Sequence, residues 1–241
     1  MLARLQAISV SARAGEGHGK MARRALIEHR PWLLASIAAA TAYYFLRDNP
    51  VGEGVWGIAM KGAGVGLLTV YALRRVPLGR HGLDGAIFVL VLALAAAGDM
   101  VLELDFRAGG ALFLASHLVA VLFYLRQPRA RTTPSQKLLA AALLLGTPLV
   151  SYLLSLRIDI ALYSAGLGAM AAAAWMSRFP RYRVGTGAVL FVLSDWLIFA
   201  RFGPISLEPL PTLLIWPLYF AAQLMIATGV VQSLRGERPV R

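Results

Sequence analysis

Long apolar runs alternate with short polar connections along almost the whole chain. A membrane span needs roughly 20 mostly apolar residues. The pattern predicts eight spans, at 31–46, 54–73, 84–104, 109–126, 137–156, 159–177, 184–201 and 212–234, the first of them short. Pro77, Pro128, Pro134, Pro180, Pro204, Pro209 and Pro211 fall between spans, where proline punctuates. Pro148 and Pro217 fall inside spans, where neighbouring helices re-satisfy the freed carbonyls. The expected fold class is all-α: a polytopic integral membrane protein of eight transmembrane helices. Residues 1–30 read as a basic cytoplasmic tail, 31–234 as the membrane domain and 235–241 as a second cytoplasmic tail. No apolar segment before a small-residue cleavage site marks the first stretch as a secretory signal. Met21 is as acceptable a start as Met1.

The charges sort by connection. The N-terminal tail carries Arg4, Arg13, Lys20, Arg23, Arg24 and Arg30. The second-to-third connection has Arg74, Arg75 and Arg80; the fourth-to-fifth has Arg126, Arg129, Arg131 and Lys137. The sixth-to-seventh has Arg178, Arg181 and Arg183, and the C-terminal tail Arg235, Arg238 and Arg241. Only Arg47, Arg107, Arg157 and Arg201 fall on the other side, and Lys61 lies within a span. Excess Lys and Arg marks cytoplasmic loops, so both termini are expected inside the cell, in a multi-pass protein of a bacterial inner membrane. The net charge of +12 is thereby accounted for without a nucleic-acid partner. Composition agrees: 58% of residues are hydrophobic and 15% charged, against about 25% charged in soluble domains. The absence of cysteine excludes disulfides, thiolate catalysis and cysteine metal sites.

Against this background the polar residues inside spans stand out. A mid-helix acid or lysine costs roughly 2.5–3.5 kcal/mol on insertion scales, so such residues face the bundle interior and point to function. Lys61, Asp99, Glu103 and Asp195 are of this kind. With His117, Tyr219 and Gln223, they fall in the outer half of the membrane, six of these groups within roughly 10 Å in depth at the helical rise. Asp99 and Glu103 share a face at i, i+4, as do Tyr219 and Gln223, and Phe113, His117 and Tyr124 form one stripe. Each has a structural alternative. Glu103 reads as an interfacial snorkelling residue, His117 as an interhelical hydrogen bonder, Tyr219 as part of an aromatic belt, and Lys61 as the neutralising partner of an aspartate. Trp32, Trp56, Trp196 and Trp216, near span ends, read as belt residues. Asp99 and Asp195 each precede a phenylalanine by seven residues, Phe106 and Phe202. That spacing is compatible with a 4+4 parallel internal repeat about an axis along the membrane normal.

At these positions the chain resembles the YhhN family of membrane proteins, which includes the lysoplasmalogenases. The matching stretches are Gly98-Asp99, Phe113 with His117, Tyr163 and Met170, Gly187-Ala188 through Phe191 to Ser194-Asp195 and Phe202, Tyr219 with Gln223, and Lys61 in the second span. They cover about residues 31–234. Two departures are Gly62, where the family usually has proline, and Val119-Ala120, where it often has a tyrosine. The resemblance implies hydrolysis of the vinyl ether of a lysoplasmalogen, giving a fatty aldehyde and glycerophosphoethanolamine or glycerophosphocholine. Many bacteria lack plasmalogens, which leaves a related lysolipid substrate open.

The chemistry suits the residues. Vinyl ether hydrolysis needs a proton donor and an anion, much as a glycosidase does. Asp99 and Asp195 are expected to form the acid and anion pair, in either order, facing one dry chamber. Lys61 is expected to hold the ionised partner or to meet the substrate phosphate. His117, Tyr219 and Gln223 are expected to position water and the departing oxygen, with Glu103, Tyr124 and Ser194 in support. No cofactor and no metal is called for, and the expected partners are a lysophospholipid and the surrounding lipid. The competing reading is a proton- or ion-coupled transporter, which predicts polar residues reaching both faces. A zinc hydrolase usually needs three protein ligands, yet His117 alone lies within a span, while His18, His29 and His81 lie in cytoplasmic segments. A G-x-S-x-G serine elbow does not occur.

Overall fold

The computed structural model describes residues 31–52, 54–76 and 82–236. The N-terminal tail, Pro77, Arg80 and His81, and Arg238 and Arg241 lie outside the described residues. The helices are α1 (Pro31–Leu46), α2 (Gly54–Arg75), α3 (Gly82–Leu102), α4 (Phe106–Leu125), α5 (Pro134–Ser155), α6 (Ile158–Met176), α7 (Thr186–Ala200) and α8 (Leu210–Leu234). A π-helical turn, Arg181–Gly185, leads into α7. Seven of these segments are long and apolar enough to cross a membrane, and α1 is a shorter apolar helix. The described residues are thus all-helical, as expected of a multi-pass membrane protein.

Local chemistry sets the helix starts that hydropathy left soft. Helix α4 begins at Phe106 because the Asp105 side chain accepts a hydrogen bond from the Ala108 amide at 2.8 Å. Such a cap satisfies one of the free donors of the first turn. Helix α5 begins at Pro134 because Thr133 and Gln136 exchange side-chain to backbone bonds in a capping box. Pro134 suits the first turn, where its missing N–H costs nothing. Leu156, in the left-handed region at φ 55°, turns the chain from α5 into α6.

Six helices close a ring. Helix α3 packs on α2 and α4, α4 on α6, α6 on α7, α7 on α8, and α8 back on α2. The other two lie outside it. Helix α1 is tied to α2 by Ser36 Oγ donating to the Gly64 carbonyl (2.5 Å). It is tied to α8 by Trp216 Nε1 donating to the Ala40 carbonyl (2.9 Å). Helix α5 packs on α6 and α7. Close approach depends on small residues: a Cβ on Gly187 of α7 would lie 2.9 Å from the Ala222 carbonyl oxygen of α8.

The two ends of the ring differ. At the end carrying the α2–α3, α4–α5 and α6–α7 connections, the interior is filled by buried Phe88, Phe123 and Phe179. Phe123 stacks on Phe179 at 5.3 Å between centroids and lies 5.4 Å from Phe88. Above them Asp84 accepts from Gln127 (2.6 Å) and Arg126 (3.0 Å), and Arg178 bonds Gln127, so one polar knot joins three segments. The opposite end holds a cavity.

Candidate active site

The cavity has a volume of about 830 Å³ and takes its walls from all six ring helices. Ligand sites are commonly of this size, largely apolar with a few convergent polar groups. Phe113 of α4, Phe191 and Phe199 of α7, and Trp216 and Tyr219 of α8 give it aromatic walls. Phe191 and Tyr219 meet edge to face at 5.2 Å, and Phe113 meets both. Gly98 makes room for Phe113: a Cβ there would lie 2.9 Å from the ring.

Asp99 and Asp195 both line this cavity and are almost wholly shielded from bulk solvent, at 2% and 5% exposure. They come from α3 and α7, and each is held by a phenol from another helix. Tyr219 donates to Asp99 Oδ2 at 2.7 Å, and Gln223 Nε2 donates to the Tyr219 oxygen at 3.3 Å. Tyr163 donates to Asp195 Oδ2 at 3.0 Å, and its oxygen lies 3.1 Å from His117 Nε2. A phenol has one proton. With that proton given to Asp195, the contact between Tyr163 and His117 requires the proton to sit on Nε2 of the imidazole. Two donor chains therefore run in parallel, Gln223–Tyr219–Asp99 and His117–Tyr163–Asp195. The acids are not bonded to each other; they share a chamber and are fixed separately.

The other expected site residues divide between the chamber and its surroundings. Lys61 lines the cavity, but its ion pair is with Glu103 (2.5 Å), not with either aspartate. Glu103 is not a lone snorkelling side chain: it also accepts from Tyr43 of α1 at 3.2 Å. Of the two acids four residues apart on one face, the lysine reaches Glu103, the one nearer the open end of the ring. Ser194 lines the cavity while its hydroxyl donates to the Ile215 carbonyl at 2.9 Å, bridging α7 to α8. Tyr124 does not reach the chamber. It is buried seven residues past His117, its ring against Phe123 and Phe179 at the closed end. Trp216 is not a belt residue: it is buried, lines the cavity and bonds α1. Trp196 likewise turns inward, donating to the Thr147 carbonyl of α5 (3.4 Å), whereas Trp56 is exposed.

Tyr163 is the residue missing from the expected site set. It is among the positions that carry the family resemblance, but one tyrosine near the start of an apolar helix carries no acid or base signature, and its bond to Asp195 is what gives it a role. At the open end, Phe106 and Phe202, each seven residues past an aspartate, bring their rings within 5.2 Å of one another. Among the described residues no group of three or more His, Asp or Glu side chains is arranged to hold a metal ion.

The sequence profile of the YhhN family matches residues 56–230, and the chain belongs to that family. No curated protein and no solved structure matches it.

Proposed function

We propose that this YhhN family protein is a lysoplasmalogenase-like hydrolase that cleaves the vinyl ether of a single-chain phospholipid inside the membrane domain. The observation that carries the reading is a pair of carboxyls, each fixed by a phenol from another helix, on the walls of one aromatic chamber. One carboxyl delivers its proton to the β-carbon of the vinyl ether, using the C=C electron pair. Positive charge then spreads over the α-carbon and the ether oxygen. The other carboxylate faces that charge, and the rings of Phe113, Phe191 and Tyr219 supply the attraction that aromatic surfaces offer cations. Water adds to the α-carbon and returns a proton to the first carboxylate. The hemiacetal collapses as the bond between the α-carbon and the glycerol oxygen breaks; its hydroxyl gives up a proton, the glycerol oxygen takes one up by way of the carboxyls, and the aldehyde leaves.

The donor chains keep the carboxyls in register. Each aspartate is engaged on Oδ2, which leaves Oδ1 for the substrate. Preorganised groups of this kind stabilise developing charge without reorganising during reaction. The apolar walls suit an alkenyl chain: Leu114, Leu162 and Ile198 line the cavity, and Leu162 is exposed on α6.

Eight spans, both termini cytoplasmic and an outward-facing cavity in the inner membrane complete the proposal. The ring contacts are compatible with a four-plus-four repeat, since α2–α3, α3–α4 and α4–α6 correspond to α6–α7, α7–α8 and α8–α2. A coupled transporter fits less well, because the chamber stops above the packed rings of Phe88, Phe123 and Phe179.

The test is incubation of purified protein with 1-alkenyl, 1-alkyl and 1-acyl lysolipids, scoring aldehyde and fatty acid separately. Aldehyde from the alkenyl lipid alone supports the reading. Fatty acid release, or substrate flux into liposomes without turnover, rejects it.

A further inference from the structure

The mouth of the cavity carries charge that the reaction does not use. Arg107, in the first turn of α4, and Arg157 and Asp159, at the start of α6, all line it. Arg157 is held in place: its Nε and Nη2 donate to the two oxygens of Asp159 at 3.0 and 2.5 Å. Its guanidinium also lies 5.6 Å from the Phe202 ring centroid, and Phe202 packs on Phe106, itself part of the wall. Arg107 is exposed and has no ion-pair or hydrogen-bond partner among the described residues. The mouth is thus lined by two guanidinium groups and one carboxylate, and the carboxylate is engaged by Arg157. Below it, Lys61 is matched by Glu103.

A guanidinium-lined rim over an apolar chamber fits an amphiphile whose head contains a phosphodiester anion. Arginine is suited to phosphate, which its planar fork can hold with two parallel hydrogen bonds. Depth agrees. Tyr163, which holds Asp195, is six residues beyond Arg157, or about 9 Å along the helix. In a 1-alkenyl lysophospholipid seven covalent bonds separate phosphorus from the β-carbon of the vinyl ether. Three backbone bonds advance at most ~3.3–3.6 Å, so seven comparable bonds span about 8 Å. A phosphate at the rim therefore puts the vinyl ether at the level of Asp195.

We propose that Arg107 and Arg157 form a phosphodiester site at the cavity mouth that holds the lipid headgroup, with Asp159 and Phe202 positioning Arg157. This rests on the function proposed above, and its test by binding does not depend on vinyl ether cleavage. The test uses binding to the full chain in nanodiscs, read by the change in tryptophan fluorescence to which Trp216 at the cavity wall contributes and which a Trp216→Phe control assigns. The probes are a 1-alkyl lysophosphocholine, which has no vinyl ether, the matching 1-alkylglycerol, which has no phosphate, and inorganic phosphate. The parent protein should bind the lysophosphocholine at least tenfold more tightly than the alkylglycerol. Arg107→Gln should lose about tenfold for the first probe and nothing for the second, whose unchanged affinity also reports an intact fold. Arg107→Lys should keep most of the affinity. Equal affinity of the two lipids for the parent, an unchanged Arg107→Gln, or inorganic phosphate binding as tightly as the lysolipid would each overturn the proposal. Binding that follows these expectations in a protein that releases no aldehyde would retain the headgroup site and reject the hydrolase.

Discussion

Replacing Tyr163 with phenylalanine removes one oxygen and nothing else. That oxygen donates to Asp195 at 3.0 Å and meets His117 Nε2 at 3.1 Å, so the substitution leaves a carboxyl and an imidazole without their shared partner. Hydrogen bonds to charged groups contribute about 1.5–3 kcal/mol. Interhelical bonds in membrane proteins average only ~0.6 kcal/mol towards stability. The two figures separate the outcomes. Folding should suffer by about 1 kcal/mol, since the ring of Phe keeps its packing against Phe199 and His117. The chemical step should slow by about tenfold to a hundredfold, because misaligning Asp195 acts on the charge that develops in reaction. The assay is aldehyde release per folded molecule at saturating alkenyl lysolipid, with thermal unfolding in detergent alongside. The loss belongs in kcat, with KM little changed, because Tyr163 acts through Asp195. A kcat within twofold of the parent would refute the donor chain, and a loss confined to melting temperature would make Tyr163 structural.

Three other perturbations follow from the geometry. Lys61→Met should destabilise the protein more than the double substitution Lys61→Met with Glu103→Gln, since the single change strands Glu103; additive effects in a double-mutant cycle would dissolve the ion pair. Gly187→Ala drives a methyl group into the Ala222 carbonyl, which cannot swing aside, and should cost about 1–3 kcal/mol by thermal unfolding; an unchanged melting temperature would refute the close α7–α8 contact. In the α7–α8 connection, Thr212 bonded to Glu208, with Arg201 beside it, holds the Glu208 carboxyl below the usual glutamate range. A depressed carboxyl stabilises above its ordinary titration range and loses that contribution as pH falls through the lowered value. Glu208→Gln should therefore lower the melting temperature at neutral pH and converge on the parent in acid; a pH-independent difference would contradict it.

The helical content and most of the chamber were legible in the sequence for a simple reason. Apolar length sets spans, and the insertion cost of Asp99, Asp195 and Lys61 forces them inward, whatever the tertiary detail. Partnership was less legible. Periodicity says that Asp99 and Glu103 share a face, but which of them Lys61 reaches depends on how α2 packs on α3. The stripe through Phe113, His117 and Tyr124 is one face of α4, but the bundle is open at one end of that face and closed at the other. Tyr124 thus belongs to the Phe123–Phe179 packing. Tryptophans near helix ends face lipid or interior according to which neighbour offers a carbonyl, and Ala40 and Thr147 offered theirs to Trp216 and Trp196. Tyr163 shows the limit: its role comes only from contact with a helix 32 residues further along the chain.

The central claim is that a carboxyl in the chamber protonates carbon rather than oxygen. It is tested most directly by turnover of a 1-alkenyl lysophospholipid in deuterium oxide containing oxygen-18, with the aldehyde reduced as it forms. The account predicts one deuterium on the carbon next to the aldehyde carbon, no oxygen-18 in the glycerol hydroxyl, and loss of the signal in both Asp99→Asn and Asp195→Asn. Oxygen-18 in the glycerol hydroxyl, an aldehyde without deuterium, or near-normal turnover by either variant would contradict it.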